Sequence, residues 1–209
     1  MILYLMRHGE TDWNKDKRLQ GRSDVPLNEY GIELAEKTAE GLRHVRFDRI
    51  FSSPLQRALT TAQIMAKGRE ISVMPDEALC EVNFGEDEGQ CFVGARKDPA
   101  HPLHLFFNRP EAYVPTGKGE TFSQAGERAR AFLREKIYPL EGQCENLLVV
   151  AHGALNRCIL NAAAGIPESE FWTFSLPNCA VSVLEVKAGE LRILEESKIY
   201  YDEPVNGRP

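Results

Sequence analysis

Two short runs set the limits on this chain. ILYLM (2–6) and NLLVVA (146–151) are β-prone and apolar on every side, as strands covered on both faces are. Each stops on a histidine–glycine pair, Arg7-His8-Gly9 after the first and His152-Gly153 after the second. A strand covered on both faces needs helices above and below it, and the intervening sequence supplies them. Ile32, Ala35, Ala39 and Leu42 recur at helical spacing, opposite Glu33, Glu36, Lys37 and Glu40. RIFS (49–52) reads as a second strand. Pro54 suits the first turn of the next helix, with Leu55, Ala58, Leu59, Ala62 and Met65 as its apolar stripe. ISVM (71–74) is a third strand, and ALCEV (78–82) is extended or a short strand. Thr121 caps a helix carrying Phe122, Ala125, Ala129, Phe132, Leu133 and Ile137. Residues 154–164 read as helix, and strands at 179–186 and 191–196 turn back at Ala188-Gly189.

Alternating strands and helices predict an α/β fold, a three-layer α/β/α sandwich with a mostly parallel central sheet. A length of 209 residues fits one domain over 1–209. From about 87 to 119 the periodicity fails. Pro99, Pro102, Pro110 and Pro115 interrupt it, and Phe92, Phe106, Phe107 and Tyr113 are scattered through it. Such a stretch predicts a lid-like insertion.

Charge narrows the partners. The 31 acidic against 25 basic side chains leave a formal charge of −6, a poor footprint for nucleic acid or an anionic membrane. The apolar run at 1–6 is too short for a signal peptide, and no later run approaches the ~18 residues of a membrane span. The five cysteines (Cys80, Cys91, Cys144, Cys158, Cys179) include no C-x-x-C pair, which argues against a disulfide framework or zinc ribbon and for a reducing, cytoplasmic setting. A homodimer stays open.

In open α/β sheets, ligands bind beyond the carboxyl ends of the strands. Arg7, His8, Gly9, Glu10 and Thr11 stand there after the first strand. Ser53 follows the second, with Arg57 one helical turn on; Glu81 follows ALC, and His152-Gly153 follows LLVVA. Singly each has a bland reading: Arg57 as a solvated helix charge, Glu81 as a surface carboxylate. Jointly they suit phosphoryl transfer. Arg7 and Arg57 offer forked donors to the phosphoryl oxygens, a neutral imidazole can attack phosphorus, and a carboxyl group can protonate the departing oxygen. Gly9 and Gly153, lacking Cβ, would let the backbone approach the phosphate.

These residues carry a resemblance. Arg7-His8-Gly9-Glu10-Thr11-Asp12-Trp13-Asn14, Arg18-Leu19-Gln20-Gly21, Asp24-Val25-Pro26-Leu27-Asn28 with Gly31, Ser52-Ser53-Pro54-Leu55-Gln56-Arg57-Ala58 with Thr61-Ala62, and Val150-Ala151-His152-Gly153 together resemble the phosphoglycerate mutase-like branch of the histidine phosphatase superfamily. The resemblance implies that His8 is phosphorylated during turnover. It implies that Arg7, Arg57 and His152 form the phosphate pocket with Thr11, Asn14, Gln20, Gly21 and Gly153. Glu81 would protonate the leaving group and later activate the hydrolytic water. The family uses no metal and no other cofactor, and the expected ligand is a small phosphorylated metabolite.

One departure from the family pattern bears on what covers the leaving group, and two others favour hydrolysis over mutation. Phe84-Gly85-Glu86-Asp87-Glu88-Gly89 lacks the Trp that phosphatase members often carry. No Arg-Arg-Ser segment, which holds the substrate carboxylate in the mutases, occurs between Gly89 and Gly119, where the basic residues include Arg96-Lys97 and Arg109. Ala154 stands where such mutases carry Asn. The sequence thus predicts a phosphomonoester hydrolase, with a cofactor-dependent phosphoglycerate mutase as the alternative and a non-catalytic phosphate-sensing or protein-binding module as a third. Weaker candidates are His101 and His104 as a metal pair or as lid contacts to substrate, the insertion aromatics as a leaving-group pocket or as packing, and Arg22 and Lys118 as an extended anion site. His44 reads as a helix-surface residue.

Overall fold

Six strands form one sheet in the order β3-β2-β4-β1-β5-β6. The computed structural model describes residues 1–202. The strands are β1 (Ile2–Arg7), β2 (Arg49–Ser52), β3 (Val73–Pro75), β4 (Asn146–Ala151), β5 (Val181–Lys187) and β6 (Glu190–Lys198). β1, β2, β3 and β4 pair in parallel, and β5 lies antiparallel between β1 and β6. Five strands therefore run one way and β5 runs against them. Ala188 and Gly189, both at positive φ, make the tight β5–β6 turn whose twist matches a hairpin.

Alternation along the strands builds two cores. Leu3, Leu5, Leu147, Val149 and Phe51 face a layer formed by α5 (Phe122–Phe132) and α6 (Gly153–Ala164). Met6, Leu148, Val150 and Ile50 face α2 (Glu29–Gly41) and α3 (Gln56–Ala66). Successive side chains point to opposite faces, so the strands are apolar throughout because both faces are covered. Thr121 caps α5 in a reciprocal capping box with Gln124, as its position before the apolar run predicts.

The structure differs from the sequence expectations at several points. A four-residue helix, α1 (Asp12–Lys15), interrupts the turn-rich stretch after β1. In α2, Ile32 is 39% exposed and Leu34 is buried, so the buried stripe is rotated from the expected one. Pro54 lies before the Leu55 cap of α3 rather than in its first turn. β3 starts two residues later than ISVM. ALCEV forms no strand: Asp76 accepts the Ala78 N–H and starts a 3-10 turn at Glu77–Leu79, and Glu81 bonds to α6 instead of a strand edge.

The insertion is packed rather than free-standing. It contains α4 (His104–Asn108) and a 3-10 turn at Pro110–Ala112, and it buries Leu103, Phe106 and Tyr113. Asp87 anchors it by accepting from the Tyr113 hydroxyl (2.7 Å), Thr116 Oγ1 (3.1 Å) and Gln90 Nε2 (3.1 Å). Among the described residues no helix is long and apolar enough to cross a membrane.

Candidate active site

The carboxyl ends of β1, β4 and β2 are level. Arg7 pairs with Ala151, and Ser52 with Val150, so the residues that follow converge on one cavity of about 130 Å³. Its wall includes Arg7, His8, Asn14, Gln20, Gly21, Arg57, Glu81 and Gly153. His152 lies directly behind, fully buried, its ring 5.2 Å from that of His8. Thr11 does not line the cavity; its side chain caps α1 by accepting from Asn14 N and bonds to Asn14 Oδ1, which makes it a support for Asn14.

His8 is held by its backbone and by one ring nitrogen. Its Nδ1 lies 2.6 Å from the Gly9 carbonyl. A proton donated there leaves Nε2 with the lone pair. Burial, and then the charges of Arg57 and Arg7, hold His8 well below the ordinary histidine value. Burial, Arg57 and His8 do the same to His152. Both rings are neutral at neutral pH.

The two arginines are anchored by one end only. Arg57 donates to the carbonyls of Ser23 (2.8 Å) and Gly21 (2.6 Å), and Arg7 to that of Leu176 (2.6 Å). In each the buried Nε has no hydrogen-bond partner, and neither ring nitrogen of His152 has one. Buried N–H groups are almost always paired, so this group of unanswered donors marks where an oxygen-rich anion fits. Burial lowers the Arg57 value to about 10, against the opposing pull of Glu81 and Asp24. It remains a cation at neutral pH.

Glu81 crosses to the amino end of α6. Its Oε1 accepts from Val82 N (3.0 Å) and Leu155 N (2.9 Å), and Oε2 from Ala154 N (3.1 Å). The lone-pair position left on Oε2 is the one available to carry or take a proton. Arg128 of α5 fixes the segment from behind. It donates to the carbonyls of Ala78 and Cys80 at 2.8 Å each while pairing with Glu120 at 2.7 Å.

The glycines have separate reasons. A Cβ on Gly9 would lie 2.5 Å from the Gly31 carbonyl oxygen, so the packing of α2 requires glycine here, a reason the sequence reading did not include. A Cβ on Gly153 would stand 3.4 Å from Arg157 Nη1 and 3.6 Å from Arg7 Nε, so this one does open onto the cavity. Gly21 sits at positive φ, and a Cβ there would strike the Glu88 carboxylate.

Several contributors escape sequence reading. Glu88 accepts from Arg22 N, Ser23 N, Ser23 Oγ and Phe84 N, stapling the loop whose carbonyls hold Arg57. Asn178 Nδ2 donates to the carbonyls of His8 and Gly9. Arg157 and Trp172 line the cavity with Phe84, Phe92, Phe106 and Phe107. A His-Gly pair followed by helix could have flagged Arg157, one turn beyond Gly153 on the same face. Of the weaker candidates, Phe92, Phe106 and Phe107 line the cavity and pack against one another, so both readings of the aromatics hold in part. His101 Nδ1 accepts from Leu103 N, and His104 Nδ1 lies 3.0 Å from the Ala95 carbonyl. Those contacts shape the insertion. Arg22 pairs with Glu120, Lys118 and His44 are exposed, and none of the three lines the cavity.

An α/β sheet that gathers two anchored guanidiniums, two neutral imidazoles and a carboxyl group at its carboxyl edge defines a phosphate-handling enzyme. The family model of the histidine phosphatase superfamily (branch 1) matches residues 3–197, and the chain belongs to that family. A Yersinia pestis (strain Pestoides F) protein named as a probable phosphoglycerate mutase, GpmB, is 33% identical over 181 residues, spanning 86% of this chain and 82% of that protein. YhfR of Bacillus stearothermophilus superposes with a TM-score of 0.86 at 32% identity, over 95% of this chain and 97% of its own. The α-ribazole phosphatase of Shigella flexneri gives 0.82 at 26% identity, over 95% and 96%.

Proposed function

We propose that this enzyme is a phosphomonoester hydrolase that works on a small phosphorylated metabolite through a phosphohistidine on His8. The observation that carries the reading is the neutral His8, held through Nδ1, beside two buried guanidiniums with unanswered Nε–H groups. In the first step Nε2 of His8 attacks phosphorus. The P–O ester bond breaks, and the proton on Glu81 Oε2 goes to the departing alkoxide. Arg7, Arg57 and His152 hold the equatorial oxygens, whose charge grows in the transition state. In the second step Glu81, now a carboxylate, takes a proton from water as its oxygen attacks phospho-His8, giving inorganic phosphate and free imidazole. Two guanidiniums supply the positive charge that metal-dependent phosphatases draw from a cation, so the reading calls for no metal ion.

The named function of the Shigella neighbour supports hydrolysis. Trapping tests the intermediate. A labelled phosphate ester, quenched in alkali, is expected to leave an acid-labile, alkali-stable label on His8, and His8→Ala to lose both the label and roughly 10³-fold or more of kcat. Normal turnover without label on His8 would overturn the reading. A mutase is the second reading, favoured by the name of the Yersinia relative and by a further cation, Arg157, on the cavity wall. Conversion of 3- to 2-phosphoglycerate in the presence of the bisphosphate primer, faster than phosphate release, would select it.

A further inference from the structure

The nucleophile's loop is held by a segment that has no part in the chemistry above. Residues 176–180, just before β5, bond repeatedly to the end of β1. The Leu176 carbonyl accepts from Arg7 Nη1 (2.6 Å) and the Ala180 carbonyl from Arg7 N (3.0 Å). Cys179 N donates to the carbonyls of Arg7 (3.1 Å) and His8 (3.2 Å). Cys179 does so at a φ of 57°, a left-handed conformation that a residue with a Cβ keeps only under constraint from its surroundings. The Tyr201 hydroxyl donates to the Asn178 carbonyl at 2.6 Å, so the same turn is also fixed from the C-terminal side of β6.

Asn178 directs its side chain to three acceptors outside its own turn. Nδ2 lies 3.1 Å from the His8 carbonyl oxygen, 3.1 Å from that of Gly9 and 3.3 Å from Asn14 Oδ1. Only the nitrogen of the amide can face three acceptors. Asn14 is oriented by the same logic: its Oδ1 accepts from Thr11 N (3.2 Å) as well as from Asn178. Its Nδ2 is therefore turned away from both, and Asn14 lines the cavity. An asparagine that only shaped a turn would bond to its own backbone two residues on.

The Gly9 carbonyl is the point the two side chains share. It accepts from Asn178 Nδ2 and lies 2.6 Å from His8 Nδ1. A carbonyl oxygen has two lone pairs and can take both donors. The proton of a neutral histidine stays on the ring nitrogen that has an acceptor, so the tautomer of His8 depends on where this carbonyl points. Gly9 has no side chain to hold its peptide. Its N–H is tied to Thr61 Oγ1 (3.0 Å), and Asn178 ties the carbonyl end.

We propose that Asn178 is a positioning residue for His8 and Asn14. By fixing the Gly9 carbonyl it keeps the proton on His8 Nδ1 and the lone pair on Nε2, and by holding Asn14 Oδ1 it presents the Asn14 amide N–H to the phosphoryl group. Asn178 itself lies outside the cavity wall and acts through these two residues. The proposal rests on the phosphohistidine reading and names the residue that readies its nucleophile.

The experiment joins nitrogen-15 NMR of ring-labelled histidine to steady-state kinetics. In the wild type at neutral pH the His8 signals, assigned by their loss in His8→Ala, should show a protonated Nδ1 and an unprotonated Nε2. Asn178→Ala and Asn178→Leu both remove the donor, the second while keeping the bulk that excludes water. Each should move the His8 signals toward a mixture of tautomers and lower kcat on p-nitrophenyl phosphate by about 10- to 100-fold, as lost alignment does. A wild-type His8 with its proton on Nε2 overturns the proposal whether or not either variant folds. So does a folded variant that keeps the wild-type tautomer or the wild-type kcat, the result expected of a residue that only braces the turn before β5 and shifts the urea midpoint alone. Absence of turnover and of label on His8 in the wild type would remove the hydrolase reading and this proposal with it. Active, labelled variants with the wild-type tautomer remove this proposal alone.

Discussion

Glu81 shows how much one side chain depends on its partners. Three backbone N–H groups orient the carboxyl group and leave one Oε2 position free, so its contribution should scale with how badly the leaving group needs a proton. Glu81→Gln keeps the shape and removes the acid. It should slow hydrolysis of an alkyl phosphate at least ~10²-fold, the usual reach of general acid catalysis, and p-nitrophenyl phosphate far less. Steady-state kcat on the two esters checks this, and equal slowing would remove Glu81 as the acid. That Arg7, His8, Arg57, Glu81 and His152 gather at one edge of the sheet was legible in the sequence, because they stand at strand ends and strand ends of an α/β sheet share that edge. Arg157 was not, since a lone arginine on a helix reads as a solvated charge until the fold sets it against the Trp172 ring on the cavity wall. Thr11 and Gly9, read in the sequence as facing phosphate, lie outside the cavity lining and pack instead against Asn14 and Gly31. Their motif is legible, but whether a motif residue faces the ligand or the scaffold behind it depends on contacts from elsewhere in the chain.

At the scale of elements, the catalytic loop is set by the packing of α2 against β1. A Cβ on Gly31 would fall 2.1 Å from the Glu10 carbonyl oxygen and 2.5 Å from Glu10 N. Alanine is the better helix former by about 1 kcal/mol, but a collision with backbone costs more, typically 1–3 kcal/mol. Gly31→Ala should therefore destabilise by up to about 2 kcal/mol, read from the urea midpoint at unchanged slope. It should also lower kcat by displacing the segment that carries His8. The insertion hangs on Asp87. Asp87→Ala strands the buried Tyr113 hydroxyl, and an unpaired buried group costs about 1–3 kcal/mol, while exposed Thr116 loses a bond that water can replace. Limited proteolysis should then cut within 87–119 faster than in the wild type, and KM should rise as Phe92 and Phe107 lose their place in the wall. β1, β2, β4, α5 and α6 lie where their apolar patterns predict. α1 and the 3-10 turn before Glu81 were hidden, because both are made by side-chain caps on Thr11 and Asp76 and carry no periodicity.

For the whole molecule, the consequence of the site is a pH-dependent stability. His8 and His152 are held neutral well below the ordinary histidine value by burial and by the arginines. As pH falls below about 6.5 the unfolded chain binds two protons that the folded one refuses, so folding weakens. The loss approaches about 1.4 kcal/mol per pH unit for each histidine. Urea melts between pH 7.5 and 5.5, above the range where carboxylates titrate, should show this slope, and His152→Asn should halve it. The −6 chain thus encloses a cationic pocket at some cost in stability. Alone, the sequence determined the alternation of covered strands and helices, the α/β class, the family and the residues at the strand ends, because these follow from local periodicity and short motifs. Tertiary structure decided which motif residues face the cavity, which carbonyls anchor Arg7 and Arg57, and that Arg157 and Trp172 share their pocket. Those depend on segments up to 169 residues apart, such as Arg7 and Leu176, and only the crossing of strands in one sheet brings them within reach of a hydrogen bond.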